Sequence, residues 1–95
     1  MGQLRNAPIF EQQDQLQVFP NPVTSFVKID FRQPTSQEVS VVILDMQGRE
    51  VIKRILPLQG NSGVYIDGLD ILLPGLYIMR LKTGLNVFFE RIIKS

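Results

Sequence analysis

Residues 41–56, with the sequence VVILDMQGREVIKRIL, have the pattern of a β-hairpin. In the first half, apolar residues occupy consecutive positions and not only every second one, which predicts a central strand whose two faces are both partly covered. Asp45 and Gly48 are typical of a tight turn, because aspartate accepts hydrogen bonds from nearby backbone N–H groups and glycine readily adopts positive φ. The second half returns as a strand, but its register stays open because two alternating apolar sets compete for the inner face.

Strand patterns also lie on both sides of this hairpin. They occupy residues 16–19, 27–31, 64–66, 76–81 and 86–94. Turns containing Gly, Pro, Asn or Asp separate most of them, and no stretch carries a convincing helical period, although residues 71–73 are compatible with one turn. Short strands at this regular spacing predict an all-β fold, a two-sheet Ig-like β-sandwich of about seven mainly antiparallel strands.

The composition argues against most catalytic chemistry. The 95-residue chain contains no His and no Cys, so it offers no imidazole base, thiolate nucleophile, disulfide or Cys/His zinc site. Its 10 basic and 9 acidic residues leave a net charge of +1, which argues against a nucleic-acid partner. It also lacks a run of about 18 apolar residues that could span a membrane as a helix. We therefore expect no enzyme activity and no catalytic, cofactor-binding or metal-binding residues.

The chain is expected to divide after residue 15. Residues 1–15 are polar and rich in glutamine, which predicts a flexible N-terminal arm or a linker from an upstream protein. Residues 16–95 contain all the strand patterns. They are long enough for one small hydrophobic core, so we expect them to form a single domain.

Four segments, in this order and spacing, resemble the C-terminal sorting domain of type IX secretion cargo, a family found in Bacteroidota. VFPNP at residues 18–22 is similar to the family's aromatic-Pro-Asn-Pro opening. VILDMQGREV at residues 42–51 is similar to its strand, Asp-x-x-Gly-(Arg/Lys) turn and returning strand. LPGLYIMRL at residues 73–81 resembles its Leu-x-x-Gly-hydrophobic-Tyr strand, and ERIIK at residues 90–94 resembles its basic, aliphatic last strand.

The resemblance implies two sets of site residues. The motif positions, which serve either the fold or recognition, are Pro20, Asn21, Pro22, Asp45, Gly48, Arg49, Gly75 and Tyr77. The recognition terminus is Arg91, Ile92, Ile93, Lys94 and Ser95. Ser95 departs from the family pattern, which often closes on lysine. We expect residues 87–94 and the free terminal carboxylate to be the recognition element, because a strand edge or a chain end presents unpaired backbone groups.

The function implied by the resemblance is that of a non-catalytic secretion signal. Such a domain directs its parent protein through the type IX system, from the periplasm across the outer membrane to the cell surface or the medium. The implied partners are the type IX machinery, including its outer-membrane shuttle and a surface sortase that removes the domain. If the edge of the last strand is unprotected, two copies are expected to pair as an edge-strand homodimer.

The alternative is an accessory carbohydrate-binding or adhesive module similar to fibronectin type III. Such a module would need an aromatic platform on one outer face, with Tyr65, Phe88 and Phe89 as candidate members. Phe88 and Phe89 are adjacent, so a regular strand would place them on opposite faces. The absence of Trp from the chain counts against this alternative.

Overall fold

The computed structural model describes residues 16–31, 38–57, 63–84 and 86–95, and the predicted arm at residues 1–15 lies outside these ranges. The described residues form seven β-strands and a short 3-10 helix. The strands are β1 (Leu16–Phe19), β2 (Phe26–Phe31), β3 (Glu38–Leu44), β4 (Glu50–Pro57), β5 (Gly63–Asp67), β6 (Gly75–Thr83) and β7 (Asn86–Lys94). The 3-10 helix, Leu69–Ile71, lies between β5 and β6.

The strands form two antiparallel sheets that enclose one core. One sheet has the order β1-β2-β5, and the other has the order β4-β3-β6-β7. β3 lies between β4 and β6, and its outward-facing Val42, flanked by Lys53 and Arg80 on these strands, is only 3% exposed. The prediction of an all-β, two-sheet sandwich of about seven strands is therefore confirmed.

The core is built from the inward-facing positions of both sheets. Val27 and Ile29 of β2 are fully buried, as are Met79 and Leu81 of β6, and Tyr77 lies on the same face of β6. Strict alternation along each strand puts these side chains on one face. Full burial of an aliphatic side chain of this size contributes about 1.5–3 kcal/mol.

The structure gives the register of β4, the second strand of the β3–β4 hairpin, which the sequence left undetermined. Ile43 pairs with Ile52, but the next residue, Leu44, pairs with Glu50, so β4 has an extra residue at Val51. This bulge lets Val51 pack against the core although its neighbour Ile52 is buried there too. The two alternating apolar sets of β4 are thus not equivalent. Ile52 faces the core, whereas Ile55, which belongs to the other set, is 56% exposed.

After β1 the chain crosses from the three-stranded sheet to the four-stranded sheet. β1 pairs with β2, whereas Val23 forms a parallel bridge with Lys94 of β7. The peptide bonds before Pro20 and Pro22, which lie between these two pairings, are cis. This crossing places the Pro-Asn-Pro segment beside the last strand.

Candidate functional site

The side chain of Asn21 pairs with the backbone of β7. Its Oδ1 accepts a hydrogen bond from the N–H of Ile93 at 2.9 Å, and its Nδ2 donates to the carbonyl of Arg91 at 3.3 Å. A carboxamide carries an acceptor and donors in one plane, so it can replace a peptide unit of a neighbouring strand. Asn21 therefore extends the sheet at the edge of β7.

Val23 continues this pairing toward the end of the chain. Its N–H donates to the carbonyl of Ile93 at 2.7 Å, and its carbonyl accepts from the N–H of Ser95 at 3.0 Å. The hydroxyl of Ser95 donates to the same carbonyl at 3.1 Å. Since Val23 is also fully buried, it anchors residues 91–95 to the body of the domain.

The residues of the predicted recognition terminus are divided between two faces. Ile92 is fully buried and Lys94 is 9% exposed, with its Nζ donating to the Ser95 carbonyl oxygen at 3.1 Å. Arg91 and Ile93 face outward and are exposed, as is Ser95. Only these last three side chains are therefore available for contact with another molecule.

Replacing Asn21 with alanine should loosen the end of β7. Two hydrogen bonds are lost, so we expect the free energy of unfolding to fall by about 1–2 kcal/mol. The amide of Ile93 should also exchange with solvent faster, since its acceptor is gone. Asn86→Ala, at the exposed start of the same strand, is the matched control and should leave that amide protected. Unchanged protection of Ile93 in Asn21→Ala would contradict the pairing.

The second motif forms the turn between β3 and β4. Oδ1 of Asp45 accepts hydrogen bonds from the N–H groups of Gln47 and Arg49, both at 2.9 Å, and its Oδ2 accepts from Nε of Arg49 at 2.9 Å. Gly48 has a φ of 85° and its N–H donates to the carbonyl of Asp45 at 3.0 Å. The expectation that Asp45 bonds to its own turn and that Gly48 takes positive φ is confirmed.

This turn makes stability depend on pH. The hydrogen bond from the backbone N–H of Arg49 holds the pKa of Asp45 below its ordinary value, against an opposing effect of partial burial. A carboxyl group with a lowered pKa in the folded state stabilises the fold above its unfolded-state pKa. That stabilisation is lost as the pH falls through the folded-state pKa. Chemical denaturation across the acidic range should show this loss in the wild type and a flatter profile in Asp45→Asn. Parallel profiles would contradict the assignment.

The third motif lies directly against the terminus. Gly75, whose φ is 151°, pairs with Lys94, and Tyr77 pairs with Ile92. The hydroxyl of Tyr77 donates to the carbonyl of Leu73 at 2.7 Å and so closes the turn that precedes β6. These motif positions therefore lie next to the terminus on the neighbouring strand β6.

The structure brings all four motif segments to one end of the four-stranded sheet. Leu44, which precedes the Asp45 turn, pairs with Ile78 of β6, and Ile78 pairs with Arg91 of β7. The turn, the start of β6 and the end of β7 therefore lie in this order across the sheet. Asn21 follows them, bonded to the outer edge of β7. The sequence indicated each motif but not this convergence.

The aromatic residues of the binding-module alternative do not share one face. Phe88 is buried, whereas Phe89 is 60% exposed on the four-stranded sheet. Tyr65 lies on the outer face of the other sheet, where its ring centroid is 5.7 Å from that of Phe26. Phe88 and Phe89 thus lie on opposite faces as expected, and the proposed platform is not formed.

A different row of side chains, missed from the sequence, occupies the outer face of the three-stranded sheet. Lys28 pairs with both Phe19 and Tyr65 across neighbouring strands. Its Nζ lies 5.7 Å from the ring centroid of Phe19 and 5.6 Å from that of Tyr65, within range of cation–π attraction. Only the strand register brings these residues together, and no local pattern in the sequence reveals it.

The described ranges contain neither a candidate metal site nor a candidate membrane-spanning helix. There, no three acidic side chains lie close enough together to hold a metal ion. Within the same ranges, no helix has the length and apolar character needed to cross a membrane.

Comparison with known proteins matches the chain to one family and one fold. The model of a family described as "Secretion system C-terminal sorting domain" matches residues 17–95. Among solved structures, the chain is similar to a DUF3244-family protein from Bacteroides vulgatus ATCC 8482 with an immunoglobulin-like β-sandwich fold. The TM-score is 0.68 at 14% identity, over 85% of this chain and 84% of that chain, which confirms the Ig-like fold. No curated protein matches the chain.

Proposed function

Because the chain belongs to the family of secretion system C-terminal sorting domains, we propose that residues 16–95 are the type IX sorting signal of a larger secreted protein. The domain passes through the periplasm and directs the protein attached ahead of it across the outer membrane. The parent protein then reaches the cell surface or the medium. The domain works by being bound and catalyses no reaction.

The observation that carries this proposal is the convergence of the four motif segments at one end of the four-stranded sheet. Asn21 and Val23 hold residues 91–95 in place, Tyr77 of β6 pairs with Ile92, and the Asp45 turn lies on the other side of β6. Residues far apart in the sequence thus form one surface, which a receptor can recognise as a unit. Of the terminal residues 91–95, this surface presents the side chains of Arg91, Ile93 and Ser95.

The partners follow from this role. The outer-membrane shuttle binds the domain at its motif end, and the sortase then cuts ahead of the domain once the protein has crossed. The cut lies within residues 1–15 or upstream of them. The sandwich is a compact folded unit that a protease cuts less easily than an extended segment.

A periplasm-targeted reporter fused ahead of Met1 tests the proposal in a bacterium with a type IX system. The intact fusion should reach the surface or the medium, and the exported reporter should have the mass expected after loss of the domain. A fusion lacking Arg91–Ser95 should stay in the periplasm. Because the deletion also removes the buried Ile92, protease resistance of the sorting domain itself must be measured in the truncated fusion. A resistant domain retained in the periplasm indicates a role of the terminus in recognition, whereas a degraded domain indicates a role in folding. Equal export of the two fusions would overturn the assignment of the terminus.

A further inference from the structure

A groove of about 1130 Å³ runs between β1 and β7, the edge strands at which the two sheets approach each other. β1 contributes Leu16, Val18 and Phe19 to its walls, and β7 contributes the charged residues Glu90 and Arg91 together with Phe88, Phe89 and Ile93. Seven of its eleven lining residues are apolar, although polar atoms supply more than half of the lining surface. Asn21 also lines the groove, so the groove adjoins the segment that already pairs with the end of β7.

The edge of β7 along this groove has backbone groups available for pairing. Asn21 and Val23 bond to the outward-facing groups of Arg91 and Ile93. Backbone groups of alternate residues face the same side of a strand, so the N–H and carbonyl of Phe89, and those of Val87, face outward as well. Over the described ranges, β7 pairs with β6 on its other side, and only its last residues are paired on this one.

We propose that this open edge, from Val87 to the N–H of Arg91, accepts an extended strand of a partner polypeptide. The proposal rests on the proposed function, because it identifies how a partner would hold the domain. The bonds of Asn21 and Val23 show that this edge of β7 already pairs with a parallel segment at its end. The groove adjoins that segment, so a second strand could pair with the same edge nearer the start of β7. An added strand would pair with the backbone groups that the described residues leave unpaired, and it would fill the groove.

The groove also defines the side chains that such a strand needs. Alternate residues of the strand would face Leu16, Val18 and Phe88, so apolar side chains are required there. One position would face Glu90, whose pKa is raised by burial. Among the described residues, Glu90 forms no ion pair with a basic side chain. The fitting occupant is an extended segment of alternating apolar residues with one lysine or arginine.

The probe is a ten-residue peptide of alternating valine and threonine with one central lysine, titrated into the intact chain and followed by backbone-amide NMR. We expect shifts and slower exchange at the amides of Val87, Phe89 and Arg91. A peptide with glutamate in place of the lysine should bind about two- to fivefold more weakly, and Glu90→Gln should remove this difference.

Backbone variants separate strand pairing from contact with side chains. Phe89→Pro removes an outward N–H without taking a donor from the β6 ladder, so binding should weaken at least about tenfold. Phe89→Ala is the matched control, because it removes the ring but keeps the N–H, and it should retain pairing at Val87. If Phe89→Pro does not fold, Val87→Pro removes an equivalent N–H at the start of the strand.

The outcomes separate this proposal from the sorting function. No change at the three amides would overturn the proposal even if the reporter fusion is exported. Strand pairing at these amides would support it even if the fusion is not exported, in which case the sorting function fails instead. The proposal would also be overturned if a second copy of the chain occupied the edge. Light scattering would then give the mass of a dimer, and the same amides would be protected from exchange before any peptide is added.

Discussion

Replacing Ile92 with alanine should lower the free energy of unfolding by about 2–5 kcal/mol, the range for removing a large aliphatic side chain from a packed core. Ile92 is fully buried in β7, opposite Tyr77 of β6. Ile93→Ala is the matched control on the neighbouring residue. Ile93 is 49% exposed on the other face of the same strand, so its truncation should change stability by about 0.5 kcal/mol or less.

Urea denaturation of the two variants measures this difference directly. Their midpoints should separate widely while the slopes stay similar, since the surface exposed on unfolding hardly changes. Similar losses in both variants would mean that the end of β7 is not held in the strand described here. The comparison also shows which terminal residue can be altered in export experiments without damage to the fold.

The combined change Arg91→Glu and Ile93→Asp should reduce export about tenfold or more while leaving the domain folded. Both side chains face outward at the motif end, so the change replaces a basic and apolar surface with an acidic one. Altering one of the few central residues that dominate an interface costs about 2 kcal/mol or more, which corresponds to at least such a decrease in binding. The exported fraction of a reporter fusion is the measurement.

The chain offers a closely matched control for this experiment. Lys53→Glu and Ile55→Asp make the same charge change at the same spacing on β4, the opposite edge strand of the same sheet. Both residues are exposed and face outward. The control fusion should be exported as well as the wild type. If both double variants are exported normally, the outward side chains of the terminus are not what the machinery recognises.

Much of the fold was predictable from local patterns. Alternation along residues 76–81 predicts the inward face of β6, and Asp45 with Gly48 predicts the turn after β3. The register of β4 was not predictable, because it depends on the extra residue at Val51. A bulge of this kind is fixed by packing across the sandwich, and the apolar pattern alone leaves both registers open.

The site was predictable only in part. The resemblance supplied the motif residues, and strand alternation would have separated buried Ile92 and Lys94 from exposed Arg91 and Ile93. The pairing of Asn21 with β7 was not foreseen, since its partners are 70 and 72 residues away in the sequence. An asparagine between two prolines suggests a turn locally, and its role at a distant strand edge follows only from the topology.

The sorting function is tested most directly by the fraction of a periplasm-targeted reporter, fused ahead of Met1, that leaves the cell. It should be compared between a bacterium with a working type IX system and a derivative lacking that system. We expect export in the first strain and periplasmic accumulation of the folded fusion in the second. An intact, folded fusion that stays in the periplasm of both strains would contradict the assignment of this domain as a sorting signal.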